Sequence, residues 1–487
     1  MTKMLFNITH GFQARMLLRS QVAETVLGRD AELLIYSANA REEYFRSEFD
    51  LPGVTLREMP ARFSRIESRA MNLRQYFLMN PALGGTLNHK RETFRRERPL
   101  WSHLSRGVNL VLGRSRHLRD AYMAMEQRFF PGSEWDQELT RQRPDLVVTG
   151  TPGFNQFDAH LLRAAKRHGI PTATVMLSWD NLTSKGYMNG TPDHLLVWSE
   201  LMAEEAVEYH GYPGEQIHQV GAAQFDQYFG REPSFDVARW KQEHSVPADR
   251  PLIFYGTINP GVLGHELAIL KSIVAAIENG KFKRRPYLWV RLHPQVINGP
   301  WKRPLEEFKN LAGPDVHVEE PPVVSERLAW DLPKSDAEHL TGLLLATDVV
   351  ATPSSTLVID AACVGTPSIS VFFDGAEQVR PELAARRFES YTHYAKILAT
   401  GGIGKAYTLD EFVRQVDDIV EHPKRYRDGC AAVTRQQLGS FDGRAGRRTA
   451  ERLLEIAEQG ALERDQGESG LGPLRAAGCD KALGQVA

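Results

Sequence analysis

The feature of this sequence that most limits its fold is an alternation of short apolar runs with segments of helical spacing. The first series of runs is KMLFNIT at 3–9, AELLIYS at 31–37, 54–59, LVVT at 146–149, PTATVML at 171–177 and HLLVWS at 194–199. The second series is PLIFYGT at 251–257, YLWVRLHP at 287–294, VHVEE at 316–320, DVVATP at 348–353 and PSISVFF at 367–373. Buried strands that alternate with helices indicate an α/β fold with parallel sheets.

Two domains account for this pattern better than one. A chain of 487 residues exceeds what a single hydrophobic core usually holds, and each series supplies the five or six strands of one sheet. We therefore predict a Rossmann-like N-terminal domain over 1–222 and a Rossmann-like C-terminal domain over 223–458. The Gly-rich, polar segment 459–487 lacks periodicity and is predicted to be disordered.

Between residues 61 and 128 the alternation stops. This segment contains fourteen Lys/Arg and five Asp/Glu, with aromatic residues interspersed. We predict that this segment is a helical, basic insertion in the N-terminal domain. Such a helix can dock on an anionic membrane surface or on a polyanionic glycan, and it can equally be an ordinary solvated face.

Composition narrows the function classes. The formal net charge of -2 gives no general attraction to nucleic acid. Three separated cysteines, Cys363, Cys430 and Cys479, favour neither a disulfide framework nor a structural zinc site. Neither a signal peptide nor a membrane-spanning run is apparent. We expect a cytoplasmic protein, attached peripherally at the inner face of the plasma membrane if a membrane is involved.

A hydroxyl-rich turn follows the strand DVVATP. Thr352, Ser354, Ser355 and Thr356 lie where a strand passes directly into an apolar helix. Backbone N–H groups and hydroxyls at a helix start suit a phosphate, whereas an ordinary N-cap needs only one hydroxyl.

A second polar group, Arg291-Leu292-His293-Pro294, ends another strand. Because the carboxyl ends of parallel strands face one crevice, Arg291 and His293 are candidates to meet the same phosphate. An imidazole there can stabilise the charge of a leaving phosphate. The alternative for His293 is a structural or merely exposed histidine.

The order of these motifs resembles a known family. A strand with a GT-containing turn, a strand with R-x-HP, and a strand with T-x-SS followed by D-A-A-x-x-G-x-P are similar to the C-terminal half of GT-B transferases with cytidine-nucleotide donors. That group includes the CDP-glycerol glycerophosphotransferases and the Kdo and bacterial sialic acid transferases. The segment 197–226 also resembles the passage between their domains, and the resemblance covers roughly residues 171–375.

This resemblance implies a GT-B enzyme whose two Rossmann-like domains face a central cleft. It implies an inverting, metal-independent glycosyltransferase or glycerophosphotransferase of surface polysaccharide or glycolipid synthesis in the cell envelope. Its nucleotide-activated donor would be CMP- or CDP-linked by preference or UDP-linked, with no prosthetic group and no metal. The residues expected at the donor are Thr257, Asn259, Gly261, Arg291, His293, Pro294, Thr352, Ser354, Ser355, Thr356 and Asp360. Asp360 would reach a ribose or cap local structure.

The acceptor, a glycan or glycolipid, should meet a general base from the N-terminal domain. Asp180 and His10 are the two candidates, and an Asx turn is the structural alternative for Asp180. The residues expected beside them are Gly11, Trp179, Asn181 and Lys185.

Two other functions fit the same scaffold. One is a UDP-sugar 2-epimerase or hydrolase. The other is a catalytically silent partner that binds a nucleotide sugar.

Overall fold

The computed structural model of the protein describes residues 2–60, 64–113, 115–231, 234–298, 305–325 and 327–469. These residues form two α/β domains, each built on a parallel sheet, as predicted. Residues 470–487 of the predicted disordered tail lie outside the described part of the chain.

The N-terminal domain has seven strands in the order β3-β2-β1-β4-β5-β6-β7. They are β1 (Lys3–Ile8), β2 (Glu32–Ser37), β3 (Val54–Arg57), β4 (Leu146–Thr149), β5 (Thr172–Val175), β6 (His194–Val197) and β7 (Ile217–Gln219). Strand β1 is central, because Leu5 pairs with Leu34 on one side and with Val147 on the other. Helices cover both faces of such a sheet, which explains the continuous apolar runs.

The C-terminal domain has six strands in the order β10-β9-β8-β11-β12-β13. They are β8 (Leu252–Gly256), β9 (Tyr287–Arg291), β10 (Val316–Glu319), β11 (Val349–Thr352), β12 (Ser368–Val371) and β13 (Ile403–Ala406). All the strands predicted from the sequence are present. Strands β7 and β13 were not predicted, because IHQ and IGKA are short, partly polar edge strands.

The helices follow the predicted alternation. Those before β8 are α1 (Gly11–Gln13), α2 (Gln21–Leu27), α3 (Glu43–Phe49), α4 (Arg65–Phe77), α5 (Gly84–Glu97), α6 (Pro99–Leu112), α7 (Arg116–Phe129), α8 (Asp136–Gln142), α9 (Gln156–Arg167), α10 (Asn181–Ser184), α11 (Glu200–His210) and α12 (Val237–Glu243). Those after β8 are α13 (Glu266–Glu278), α14 (Pro294–Asn298), α15 (Leu305–Lys309), α16 (Lys334–Ala346), α17 (Leu357–Cys363), α18 (Thr392–Leu398), α19 (Leu409–Glu421), α20 (Arg427–Leu438) and α21 (Ala445–Ser469).

The insertion is helical, as predicted. Helices α4 to α7 form it, while residues 61–63 and 114 lie outside the described part. Tyr76 and Phe94 stack inside it with ring centroids 3.9 Å apart. Some of its aromatic residues therefore build its own small core.

The C-terminal end differs from the prediction. Helix α21 continues to Ser469, so residues 459–469 are helical rather than disordered. It packs on α2, and Leu453 and Ala457 are buried in the core of the N-terminal domain. The chain thus returns to its first domain from residue 445, before the predicted boundary at 458.

Candidate functional site

The two sheets set the position of the site. In each domain the strand order reverses beside the central strand, between β1 and β4 and between β8 and β11. Ligands of such sheets bind beyond the carboxyl ends of the strands at this point. His10 and Gly11 follow β1, Thr257 follows β8, and the turn at 353–356 follows β11.

A cleft of about 620 Å³ lies between the two domains, within the usual range for a small-molecule site. The N-terminal domain contributes residues such as Arg15 and Asp180, and the insertion contributes Lys90 from α5. The C-terminal domain contributes His293 and the turn at 354–356. The structure therefore brings the two predicted phosphate motifs together on one cleft.

His293 lines the cleft as a neutral hydrogen-bond donor. Its Nδ1 accepts the N–H of Gln295 at 3.2 Å, so the ring proton lies on Nε2. Burial lowers the pKa of His293 to about 4. Its backbone N–H donates to Thr257 Oγ1 at 2.8 Å, and Pro294 begins α14 directly after it. The imidazole is held in place from two sides.

The turn at Ser354, Ser355 and Thr356 lies on the cleft wall. Ser355 Oγ accepts the N–H of Leu357 at 3.2 Å and so caps α17. Helix α17 begins at Leu357 and has seven residues, so its dipole contributes less than the sequence suggested. Backbone N–H groups and hydroxyls are the main donors that the turn offers.

Thr352 does not lie on the cleft wall, unlike the prediction. It is fully buried at the end of β11, and its hydroxyl has no partner among the described residues. A side chain that points into the core cannot reach a ligand in the cleft.

The loop 257–261 also lines the cleft. Asn259 Oδ1 accepts the N–H of Gly261 at 2.8 Å, which closes an Asx turn. Asn259 therefore shapes the loop as well as facing the cleft.

Arg291 is committed to two carboxylates, and this differs from the predicted phosphate role. Its guanidinium pairs with Glu319 and, at 2.5 Å, with Asp336. Because Arg291 is buried and its charge is already balanced, it stabilises the strand end and has little charge to offer a phosphate.

Asp360 lines the cleft at a contact between the domains. Its Oδ1 accepts the hydroxyl of Tyr228 at 2.7 Å and lies 3.8 Å from the guanidinium of Arg15. Burial raises the pKa of Asp360. The two roles expected for Asp360 were contact with a ribose and support of local structure, and the observed contacts are of the second kind.

Asp180 accepts two hydroxyl hydrogen bonds, from Ser178 at 2.7 Å and from Ser184 at 2.6 Å. Burial opposes its ionisation, but Lys185 and the two hydroxyl donors hold the pKa of Asp180 well below its ordinary value. The side chain is therefore a carboxylate, as a base must be.

Two lysines stand beside this carboxylate. Lys185 follows α10, and Lys90 from α5 donates to the carbonyl oxygen of Ser184. Burial and the like charge of Lys185 lower the pKa of Lys90 to about 8. Two ammonium groups around one carboxylate leave this part of the cleft suited to an anionic ligand.

His10 follows β1 but, unlike the other candidate base, is absent from the cleft wall. Its Nδ1 accepts the N–H of Phe12 at 3.2 Å, and burial together with Lys185 lowers the pKa of His10 to about 4. The rings of His10 and His293 each contact Trp330, with centroids 4.8 and 5.0 Å away. Trp330 has a left-handed backbone, with φ of 59°, a conformation that often marks functional sites.

Gly11 has a different neighbour from the acceptor that was expected. Its N–H donates to the carbonyl oxygen of Ala329 at 2.8 Å. A Cβ at this position would lie 2.3 Å from the carbonyl oxygen of Trp330. The glycine allows the loop of the C-terminal domain to approach β1, and the loop fills the space.

Of two further residues expected to contact the acceptor, Trp179 lies on the cleft wall and Asn181 does not. Trp179 lines the cleft but is largely buried and packs edge-on against His393 of α18, with centroids 4.8 Å apart. Asn181 is buried at the start of α10 and is absent from the cleft wall. Both side chains mainly support the cleft wall from behind and expose little surface to the cleft.

Several cleft residues were missed from the sequence: Arg15, His89, Lys90, Trp330 and His393. Lys90 and His89 lie in the basic insertion, where no motif distinguishes one basic residue from another. Trp330 and His393 belong to irregular or short elements without a motif. Of these residues, Arg15 alone carried a signal in the sequence, because it follows β1 closely and the end of β1 borders the switch point.

No cluster of His, Cys, Asp or Glu side chains within the described ranges is arranged to hold a metal ion. The prediction of metal-independent chemistry remains a prediction.

Neither a family model nor a curated protein sequence matches the chain. Solved structures do match. MnaA of S. aureus, in a structure with UDP, is 11% identical with a TM-score of 0.54, over 92% of this chain and 95% of that one. A UDP-GlcNAc 2-epimerase from Neisseria meningitidis bound to UDP-GlcNAc is 10% identical with a TM-score of 0.51, over 93% and 100%. One from Methanocaldococcus jannaschii is 13% identical with a TM-score of 0.50, over 93% and 100%.

At these identities the likeness establishes the architecture and nothing finer. The two facing Rossmann-like domains, with strand orders that reverse beside β1 and β8, match those neighbours over nearly their whole length. The chain has the GT-B fold.

Proposed function

We propose that the protein is an inverting, metal-independent transferase that moves a glycosyl or glycerophosphoryl group from a nucleotide-activated donor. The acceptor would be a glycan or glycolipid of the cell surface. One observation carries the proposal: a single cleft combines the donors of His293 and the 354–356 turn with the carboxylate of Asp180. Transfer needs a stabilised leaving phosphate and a base for the acceptor.

On the donor side, the Nε2–H of His293 and the N–H and hydroxyl groups of the turn would bind the leaving phosphate. A neutral imidazole donates one hydrogen bond without changing the charge of the cleft. The donor's base is open to test. Neighbours of the same fold are described with UDP or UDP-GlcNAc, so a UDP-linked donor ranks beside the CMP- or CDP-linked donor that the motifs suggested.

On the acceptor side, Asp180 would take the proton of the acceptor hydroxyl, and Lys90 and Lys185 would bind an anionic group nearby. The carboxylate is ionised, because against the effect of burial the charge of Lys185 and the two serine hydroxyls lower its pKa. An acceptor hydroxyl can replace one of these serines as its hydrogen-bond donor. His10 is the second candidate for the base. Its Nδ1 accepts the N–H of Phe12, so the proton lies on the other ring nitrogen, Nε2.

A UDP-sugar 2-epimerase or hydrolase is the second candidate function, because two of the neighbours are described as UDP-GlcNAc 2-epimerases. Such an enzyme needs no acceptor. The lysine pair and the basic insertion on the acceptor side favour the transferase.

Thermal unfolding with UMP, UDP, CMP, CDP and GDP tests the proposal. We expect a uridine or cytidine nucleotide at a hundred times its Kd to stabilise the protein by about 2.7 kcal/mol. His293→Ala should lose most of this shift, while Gln295→Ala, whose side chain is absent from the cleft wall, keeps it. No shift with any nucleotide would contradict the proposal. A shift without turnover of any nucleotide sugar would favour the silent partner. Consumption of a UDP-sugar without an acceptor would favour the epimerase or hydrolase.

A further inference from the structure

Helix α6 of the insertion exposes its apolar side and buries its polar side. Ser105 and Asn109 are buried, and Asn109 donates to the carbonyl oxygens of Phe77 and Met79 at 3.0 and 2.9 Å. The opposite side presents Leu100, Leu104, Leu110 and Val111, and Trp101 is exposed in the first turn, one turn before Ser105. Leu100 is 84% exposed. An ordinary surface helix has the reverse orientation, so this side is built to be covered.

The neighbouring helix α7 adds a second exposed apolar stripe. Leu118, Met125 and Phe129 are seven and four residues apart and therefore share a side of the helix. Glu126, on the flank of this stripe, is buried and pairs with Arg163 of α9 at 3.0 Å. The interfacial face is defined here as Leu100, Trp101, Leu104, Leu110, Val111, Leu118, Met125 and Phe129.

The exposed charged residues on α6 and at the end of α7 are positive. Helix α6 contains no acidic residue. Arg98, at its start, Arg106, within it, and Arg128, near the end of α7, are exposed, and none has an ion-pair partner among the side chains that the structure describes. Apolar side chains bordered by arginines match the acyl boundary and headgroups of an anionic bilayer.

The same charges disfavour a second copy of the chain as the occupant. A symmetric dimer would pack two arginine-bordered faces together, and α6 offers no acidic residue to pair with Arg98 or Arg106 of the copy. Both helices have fourteen residues, and among the described residues no helix is long and apolar enough to span a bilayer. Lying flat in the interface remains as the fitting arrangement.

We propose that the interfacial face seats the protein on a bilayer that contains anionic lipids, with α6 at the level of the headgroups. Helix α5 packs on α6 and also carries Thr86 and Lys90 of the cleft wall. The cleft is therefore about one helix diameter, roughly 10 Å, from the lipid. If the proposed transferase function holds, the acceptor class that fits is a lipid-linked glycan whose anionic group meets the lysines.

Vesicle co-sedimentation of the full chain tests the seat without any substrate. We expect binding to phosphatidylcholine vesicles with phosphatidylglycerol and much weaker binding to phosphatidylcholine alone. The double variant Leu100→Glu/Leu104→Glu should bind at least about tenfold more weakly, since each buried apolar side chain contributes more than a factor of ten. Arg98→Gln/Arg106→Gln should lose roughly thirtyfold on anionic vesicles only.

The matched control is Val207→Glu/Leu383→Glu, which alters exposed apolar side chains elsewhere and should bind like the wild type. As a second measurement, brominated lipid should quench the fluorescence of Trp101, taken as the difference between wild type and Trp101→Phe. Wild-type binding by the Leu100→Glu/Leu104→Glu variant together with no quenching of Trp101 would overturn the proposal. So would a wild-type dimer in sedimentation velocity that the variant abolishes, without vesicle binding by either.

These outcomes are separable from the proposed chemistry. Nucleotide stabilisation reports the cleft, and vesicle binding reports the interfacial face. A protein that binds vesicles but no nucleotide supports the membrane proposal and contradicts the transferase proposal. A protein that binds nucleotide but no vesicles supports the transferase and contradicts the membrane proposal.

Discussion

At the scale of single residues, the imidazoles of His10 and His293, which both contact Trp330, share one protonation state. Burial lowers the pKa of both His10 and His293 to about 4, so both rings are neutral near pH 7. In each ring Nδ1 accepts a backbone N–H, which leaves the proton on Nε2. This state suits donation to a phosphate oxygen. It does not suit proton abstraction, which His10 could perform only after losing the bond from Phe12.

Substitution of each candidate base, Asp180 and His10, distinguishes between them. We expect Asp180→Asn to lower kcat by about 10²-fold or more, the usual contribution of a general base, and His10→Gln to lower it less than tenfold. Because Lys185 and the serine hydroxyls hold the pKa of Asp180 below its ordinary value, Asp180 should cause no loss of rate between pH 8 and pH 5. Nucleotide release with donor and acceptor, followed over pH 5–9, measures this. A larger loss in His10→Gln would reassign the base.

Site residues were predictable from the sequence where they directly follow a buried strand. His293, Thr257 and Ser354 end apolar runs, and the topology of parallel sheets brings such ends together. Lys90 and His393 come from helices that reach the cleft only through tertiary packing. Nothing local marks them. Arg291 shows the converse, since its position was predicted but its carboxylate partners were not.

At the scale of elements, the start of α13 secures the loop at 257–261. Glu266 is fully buried in the first turn of that helix, and its carboxyl group accepts the N–H of Ile258 at 3.0 Å and the hydroxyl of Tyr255 at 3.2 Å. Burial raises the pKa of Glu266 to about 8. The folded protein therefore prefers the neutral acid.

The pH dependence of stability follows from this shift. Because the folded pKa lies above the unfolded value of 4.5, the contribution of Glu266 is fully present below that value and is lost as pH rises through about 8. Glu266→Gln keeps an acceptor but cannot ionise. Its free energy of unfolding, relative to wild type, should improve by up to about 1.4 kcal/mol per pH unit across this window. Urea unfolding at pH 5, 7 and 9 measures the difference, and parallel profiles would contradict it.

Elements were predictable where apolar runs are long. The central strands β1 and β8 are buried on both faces and read as continuous apolar runs. The edge strands β7 and β13 bury less and were missed. Helix α21 was assigned to the wrong domain, because its apolar spacing does not say which core it joins.

At the scale of the whole molecule, a loop of the C-terminal domain crosses to the N-terminal domain beside the cleft. Leu328 is fully buried in the N-terminal core. Asp331 pairs with Arg19 at 2.6 Å and accepts the hydroxyl of Tyr44 at 2.7 Å. Trp330 lies between these anchors and contacts both imidazoles. The loop thus ties the two domains together beside the cleft, and we expect it to set the width of the cleft there.

Shortening the central anchor tests this role. Leu328→Ala should destabilise the protein by about 2–5 kcal/mol, the usual cost of a buried Leu→Ala change. Because Leu328 holds a loop of one domain in the core of the other, the variant should also have a larger radius of gyration by X-ray scattering and a weaker nucleotide affinity. Val324→Ala, an exposed position of the same loop, should change neither. A Leu328→Ala variant that lost stability but kept the scattering and the affinity of the wild type would contradict this role. The loop would then pack against the first domain without setting the width of the cleft, and a displaced Trp330 would have no effect on the site at His293.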